Sequence, residues 1–306
     1  MTRIPIREIG IDELETFLDA GNGTLIDVLT PEHYASRHIP GAASACVHQV
    51  VFLEAVSGLA EDKARPLVVY GAGGSSFDAR VAADKLARAG YTNVAVFTGG
   101  LIGYTASGRK LAGERPEVCE PPHPVFAPEP REYALVPERS RVVWCGRNHN
   151  TSHFGEISLA SGSMDFSGPY SGSMVLDMRA IRNRNLEGDP LREVLEAHLA
   201  SDDFFFTSLF PTATFSFTSV QALAGASASE PGHLVQGELA LRGVVKDLSF
   251  PAHFHLLEGG FAGLQANFDF DRTDWGVIYG SARFFHHLGM HLVFDHVSVD
   301  LRLVLQ

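Results

Sequence analysis

Residues 234–241, LVQGELAL, and 248–257, LSFPAHFHLL, decide the fold of the larger part of the chain. Leu239, Leu241, Leu248, Phe250, Ala252 and Phe254 recur at every second position, the period of a β-strand with one buried face. His253 and His255 take the opposite parity, so they face outward. The same period returns at Val297, Val299, Leu301, Leu303 and Leu305. Further strand patterns cover 163–166, 172–178, 212–220, 264–271 and 292–305, with Gly and Pro between them. Many short strands punctuated in this way predict an antiparallel sandwich or barrel. One helix, 189–199, interrupts them; Asp189 can cap it and Pro190 suits its first turn.

Six of the 16 prolines fall between Leu111 and Glu132, a stretch that cannot hold a helix or a central strand. It predicts a Pro-rich linker over 113–131 between a domain at 1–112 and one at 132–306. In the first of these, apolar runs at 24–28, 66–70 and 94–97 alternate with helical patterns at 11–20 and 78–89. Short buried strands alternating with helices predict a parallel α/β sheet.

The 36 acidic residues outnumber 24 basic ones, and the net charge of −12 excludes nucleic acid as a partner, because phosphate binding needs a basic surface. Residues 1–18 hold Arg3, Arg7, Glu8, Asp12, Glu13 and Glu15 and no apolar core, so neither a signal peptide nor a membrane span is expected. Cys46, Cys119 and Cys145 are odd in number and widely spaced, which points to a reducing cytoplasm rather than a disulfide framework.

Leu25-Ile26-Asp27-Val28, then Glu32, Tyr34 and His38-Ile39-Pro40-Gly41-Ala42, resemble the rhodanese domain. Val68-Val69-Tyr70, the run from Ala87 to Val94, and Gly99-Gly100-Leu101-Ile102-Gly103-Tyr104 extend that resemblance over about residues 5 to 112. In active members the central strand leads into a loop whose cysteine thiolate attacks a sulfane donor, stabilised by backbone N–H groups and a helix N-terminus. Here the loop is Gly71-Ala72-Gly73-Gly74-Ser75-Ser76, with Gly71 in the cysteine's place. Glycine cannot carry a persulfide, so the resemblance implies a domain without sulfurtransferase activity, serving docking or regulation, with a protein partner or a second copy. The degenerate loop has two readings: a turn that holds an anion on its amides, or a turn alone with Ser76 or Asp78 capping the next helix.

Tyr133 to Pro137, Ser201 to Phe215, Gly237 to Lys246 and Arg272 to Val277 resemble, in order and spacing, the motifs of the YceI family of lipocalin-like proteins. The two resemblances together imply an α/β rhodanese-like parallel-sheet domain followed by an antiparallel β-barrel with one helix insertion. They imply a pocket for a small amphiphile, such as a polyisoprenoid or another lipid, with its polar head at the mouth. Candidate lining is Trp144, Phe204, Phe205, Phe206, Phe210, Phe215, Phe217, Phe261, Phe268 and Trp275.

At the mouth the chain departs from the family by one or two residues, across Arg147-Asn148-His149-Asn150-Thr151-Ser152-His153. Aligned from Pro137, Asn148 takes the family's histidine position; with a gap, His149 does. The second register would carry Val143, Cys145, Arg147 and His149 inward together, bringing a cation into an apolar pocket. Histidines also suggest a metal-dependent enzyme as an alternative to a carrier. His149, His153, His286, His287 and His291 could hold zinc, iron or copper, with Glu156 or Asp274 as base, or they are ordinary side chains.

Overall fold

The structure is a computed structural model that describes residues 6–118, 123 and 125–306. It divides into two compact units at Glu120 and Pro121. Of the connecting stretch, Cys119, Pro121, Pro122 and Pro124 lie outside the described residues. Glu114 and Arg115 donate backbone N–H groups to Ala35 and Ser36 in the first unit, whereas Phe126 packs into the second.

The first unit has strands β1 (Arg7–Ile9), β2 (Thr24–Asp27), β3 (Ala43–Ser44), β4 (Leu67–Tyr70) and β5 (Val94–Phe97). Its helices are α1 (Ile11–Ala20), α2 (Pro31–Ser36), α3 (Phe52–Leu59), α4 (Asp78–Arg88) and α5 (Gly100–Ala106). All strand pairs are parallel, in the order β1-β5-β4-β2-β3. Alternate residues of β4 serve two cores. Leu67 and Val69 pack with Phe52 and Val56 of α3 and Leu86 of α4, while Val68 and Tyr70 pack with Leu14 of α1 and Leu101 of α5. Burial on both faces is why these strands read as unbroken apolar runs.

The second unit has strands β6 (Glu132–Ala134), β7 (Arg141–Arg147), β8 (Ser152–Asp165), β9 (Ser171–Asn183), β10 (Thr212–Ala222), β11 (His233–Leu241), β12 (Val244–Leu257), β13 (Phe261–Asp271) and β14 (His296–Leu305). Eight of them, β7 to β14, pair in an antiparallel circuit that closes through β8 and β9, and β6 adds to β8. Closure leaves no free edge among the eight. Leu239, Leu241, Leu248, Phe250, Ala252 and Phe254 all join one core, as their period requires; Leu256, at the end of β12, is exposed. β14 begins at His296 rather than at 292, because the Val293 and Phe294 carbonyls accept from the Arg272 guanidinium instead of from a neighbouring strand. The inserted helix, α6 (Leu191–Ala200), starts one place later than expected, with Pro190 rather than Asp189 as its N-cap residue; Asp189 still accepts from Leu191 N–H at 2.8 Å.

Candidate functional site

The barrel's two ends differ. At one end Phe126, Phe166, Tyr170 and Phe254 form an edge-to-face and tilted cluster, with ring centroids between 4.8 and 6.5 Å apart. This aromatic floor packs into the core at that end of the barrel. At the other end lie the β7–β8 turn, α6 and the long β13–β14 connection.

Between the floor and that second end is a cavity of about 190 Å³. Its wall is almost wholly aliphatic and aromatic; an apolar space of this size stays dry and accepts an apolar molecule. Trp144, Phe204, Phe205, Phe215 and Phe268 line it. Gly237 makes room for one of them, since a Cβ there would stand 2.4 Å from the Phe215 ring. The buried indole N–H of Trp144 meets no acceptor among the described residues.

Other aromatic candidates lie elsewhere. Phe217 is buried against Phe215 without reaching the cavity, and Trp275 is fixed by donation of its indole N–H to the Leu239 carbonyl at 2.7 Å. Phe206 sits in the turn after α6 with φ 47° and packs its ring against Phe210. Phe261 lies under the Arg139 guanidinium.

The rim settles the register question. Val142, Trp144 and Gly146 of β7 face the cavity, so Asn148 continues the inward parity. Asn148 Oδ1 accepts from the N–H groups of Asn150 and Thr151, both at 2.8 Å, which shapes the turn. Arg147 borders the cavity, but its guanidinium donates to Ser298 Oγ on the outer face at 2.7 Å. The expected inward cation of the other register is therefore absent from this strand. His149 is exposed and its ring meets that of Phe294.

His153 lines the cavity and has a defined tautomer when neutral. Asn185 Oδ1 accepts from Phe154 N–H and from Asn183 Nδ2, which leaves its amide NH₂ toward His153 Nδ1 at 3.4 Å. With Nδ1 accepting, the proton sits on Nε2.

Arg272 is buried and also lines the cavity. Its guanidinium donates to the carbonyls of Val277 (2.5 Å), Tyr279 (2.8 Å), Val293 (3.1 Å) and Phe294 (3.1 Å). Burial lowers its basicity, while Asp295 and Asp271 support the charge. Arg272 thus clamps both ends of the β13–β14 connection over the rim. At the base of that connection, burial raises the Asp271 carboxyl, but the Thr273 hydroxyl and N–H and the Arg283 charge outweigh it and hold the carboxyl below its usual range.

The five candidate metal histidines do not form a ligand set. His286 and His287 are exposed with their rings 6.4 Å apart, and His291 Nδ1 is bonded to the Tyr279 hydroxyl. Among the described residues no three His, Cys, Asp or Glu side chains are grouped to hold a metal ion. Glu156 is engaged by Arg141 and Arg184, and Asp274 by Lys246.

In the first unit, Gly71 to Ser76 bend between β4 and α4 around a space of about 40 Å³. The carbonyls of Gly71 and Ala72 accept from the Leu101 and Ile102 N–H groups of α5. Gly73 has φ 90°, and a Cβ there would stand 2.1 Å from the Gly99 carbonyl. Asp78, not a thiol, stands over Gly71: a Cβ at 71 would be 2.7 Å from Asp78 Cβ and 3.1 Å from its Oδ2. Ser76 Oγ donates to Asp78 and His48 Nε2 lies 3.4 Å from it. The helix is capped by neither Ser76 nor Asp78; Phe77 is the N-cap residue.

Residues 133–305 match the family model of the YceI-like domain. The chain belongs to the YceI-like family. Residues 11–107 match the Rhodanese-like domain as well. Among solved structures, the YceI-like barrel is similar to BcnA of Burkholderia cenocepacia, with 19% identity over 56% of this chain and 98% of that one and a TM-score of 0.45. It is also similar to a polyisoprenoid binding domain from Saccharophagus degradans implicated in plant cell wall breakdown (18% identity, 57% and 97% covered, TM-score 0.42). The first unit is similar to Thiosulfate sulfurtransferase from Pseudomonas aeruginosa (27% identity, 35% of this chain and 20% of that one, TM-score 0.32). Among curated proteins no match is found.

Sequence reading missed part of the YceI-like pocket: Met174, Leu176 and Met178 of β9, and Leu195 and Leu199 of α6. The alternation of the three β9 residues was a usable signal. For α6 nothing local distinguishes a lid from any other amphipathic helix. No described helix is long and apolar enough to cross a membrane.

Proposed function

We propose that the chain is a binding or carrier protein whose YceI-like barrel holds one small amphiphile of isoprenoid or lipid type. The apolar cavity closed by an aromatic floor carries this reading. A hydrocarbon chain enters the barrel, and its polar end stays at the rim with the Nε2–H of His153 and the amide of Asn148. The name of the Saccharophagus degradans domain agrees in ligand class with a cavity of this chemistry. The rhodanese-like unit serves as a docking or regulatory module without sulfur transfer: Gly71 offers no nucleophile, and the Asp78 carboxylate repels an anionic donor. The free thiols of Cys46 and Cys145 suit a reducing cytoplasm.

The test is native purification followed by mass spectrometry of what leaves with the protein, together with titration by farnesol. Only two tryptophans are present, and Trp144 lines the cavity while Trp275 is fixed outside it, so a shift in emission reports filling. Saturable one-to-one farnesol binding supports the reading. No co-purified amphiphile and no farnesol binding would overturn it.

A further inference from the structure

We infer that the β13–β14 connection is a docking loop for a lipid bilayer surface, the place where the barrel loads and unloads. This rests on the amphiphile reading above and adds a partner to it.

Three observations converge on that loop. First, from Trp275 to Phe294 there is no Asp or Glu, in a chain that has 36 of them, while Arg283, His286, His287 and His291 are present. This stretch can approach a headgroup layer without carboxylate repulsion from its own residues, and Arg283, paired with Asp271 at the base of the loop but more than half exposed, offers a guanidinium to anionic lipids. Second, its large apolar side chains point to solvent: Phe284 is 49% exposed, Phe285 43% and Met290 89%. Aromatic and flexible apolar groups beside basic ones are what an interfacial anchor presents.

Third, the loop is built rather than loose, and it is continuous with the cavity. Arg272 clamps Val277 and Tyr279 on its outgoing side and Val293 and Phe294 on its return, and Val293 N–H closes onto the Gly280 carbonyl at 2.9 Å. His287 at φ 61° and Gly289 at φ 54° turn the tip. Val293 itself lines the cavity. The return side of the loop therefore borders the cavity directly, with the exposed Phe294 ring next to Val293.

The test is flotation of the full-length protein with vesicles of phosphatidylcholine alone and of phosphatidylcholine with phosphatidylglycerol at 3:1. Partition to the anionic vesicles, weakened by 0.5 M salt, is expected. The Phe284→Ser/Phe285→Ser/Met290→Ser variant is expected to bind at least tenfold more weakly with an unchanged melting temperature, since these side chains are exposed. Arg283→Gln should weaken binding to the anionic vesicles only, because Arg283 is the one Lys or Arg between Trp275 and Phe294. No binding of the parent at low salt, or equal binding by the triple variant, overturns the inference. So does a parent dimer that the triple variant dissociates, because the surface would then be covered by a second copy.

Farnesol titration of the same samples separates the two readings. Uptake of farnesol without vesicle binding sinks the docking loop alone. Vesicle binding without uptake removes the amphiphile reading and leaves the loop as a membrane anchor.

Discussion

Filling the cavity should move ligand affinity and fold stability in opposite directions. Ala213 of β10 is buried and lines the cavity. A cavity of about 150 Å³ accommodates benzene, so the phenyl ring of Ala213→Phe would take most of the roughly 190 Å³ present here. A ligand then loses the burial of about six carbons, about 5 kcal/mol at ~0.8 kcal/mol per methylene. That exceeds a thousandfold in Kd. The smaller Ala213→Leu should bind at least tenfold more weakly and, by filling empty apolar space, stabilise the barrel by about 1–2 kcal/mol. Titration with farnesol and urea unfolding of the same preparations measure both. A folded Ala213→Phe protein that binds within threefold of the parent would show that this cavity is not the site. Lower stability of Ala213→Leu would show that no open space exists there.

Three further outcomes follow from other parts of the chain. Arg272→Met leaves four carbonyls without their donor, so the barrel should lose about 3–5 kcal/mol in urea unfolding, and limited proteolysis should cut between Trp275 and Phe294. Burial pushes the Asp27 carboxyl from 3.8 up to about 6, against the N–H of Leu29 and the Tyr70 hydroxyl, which pull it down. A raised folded-state value means its contribution is complete below pH 3.8 and lost as pH rises through 6; Asp27→Asn should therefore gain about 3 kcal/mol over the parent at pH 7.5 and almost nothing at pH 3.5. Equal gains at both pH values in denaturant unfolding would refute the assignment. Gly71→Cys should transfer no sulfur from thiosulfate to cyanide, because its Cβ meets Asp78 at 2.7 Å; turnover by this single variant would show that the crowding is relieved.

The sequence carries the fold plainly where burial repeats with a period. The strands around Leu239 and Phe250 could be read because one face of each is buried, and β4 because both its faces are. The rim was harder. An insertion or deletion beside a turn leaves a one-residue ambiguity, and one residue exchanges the two faces of a strand; only the turn built on Asn148 Oδ1 fixes it. Parity gave direction but not depth, which is why Phe215 and Phe217, two residues apart on one face, differ in whether they reach the cavity. The histidines show the same limit, since closeness along the chain at 286, 287 and 291 says nothing about convergence of ring nitrogens.

Phe126 comes from the proline-rich stretch, before the first strand of its unit, yet it meets Phe166 and Phe254 in the aromatic floor. Part of the container is therefore encoded outside the segment that looks like a container. A fragment cut at residue 132 would keep every strand of the barrel and lose part of its base, turning a cup into something closer to a sleeve. Phe166, Tyr170, Phe254 and His233 would keep their mutual packing but lose the ring they share. Where one cuts the gene would set how well the barrel's base holds together.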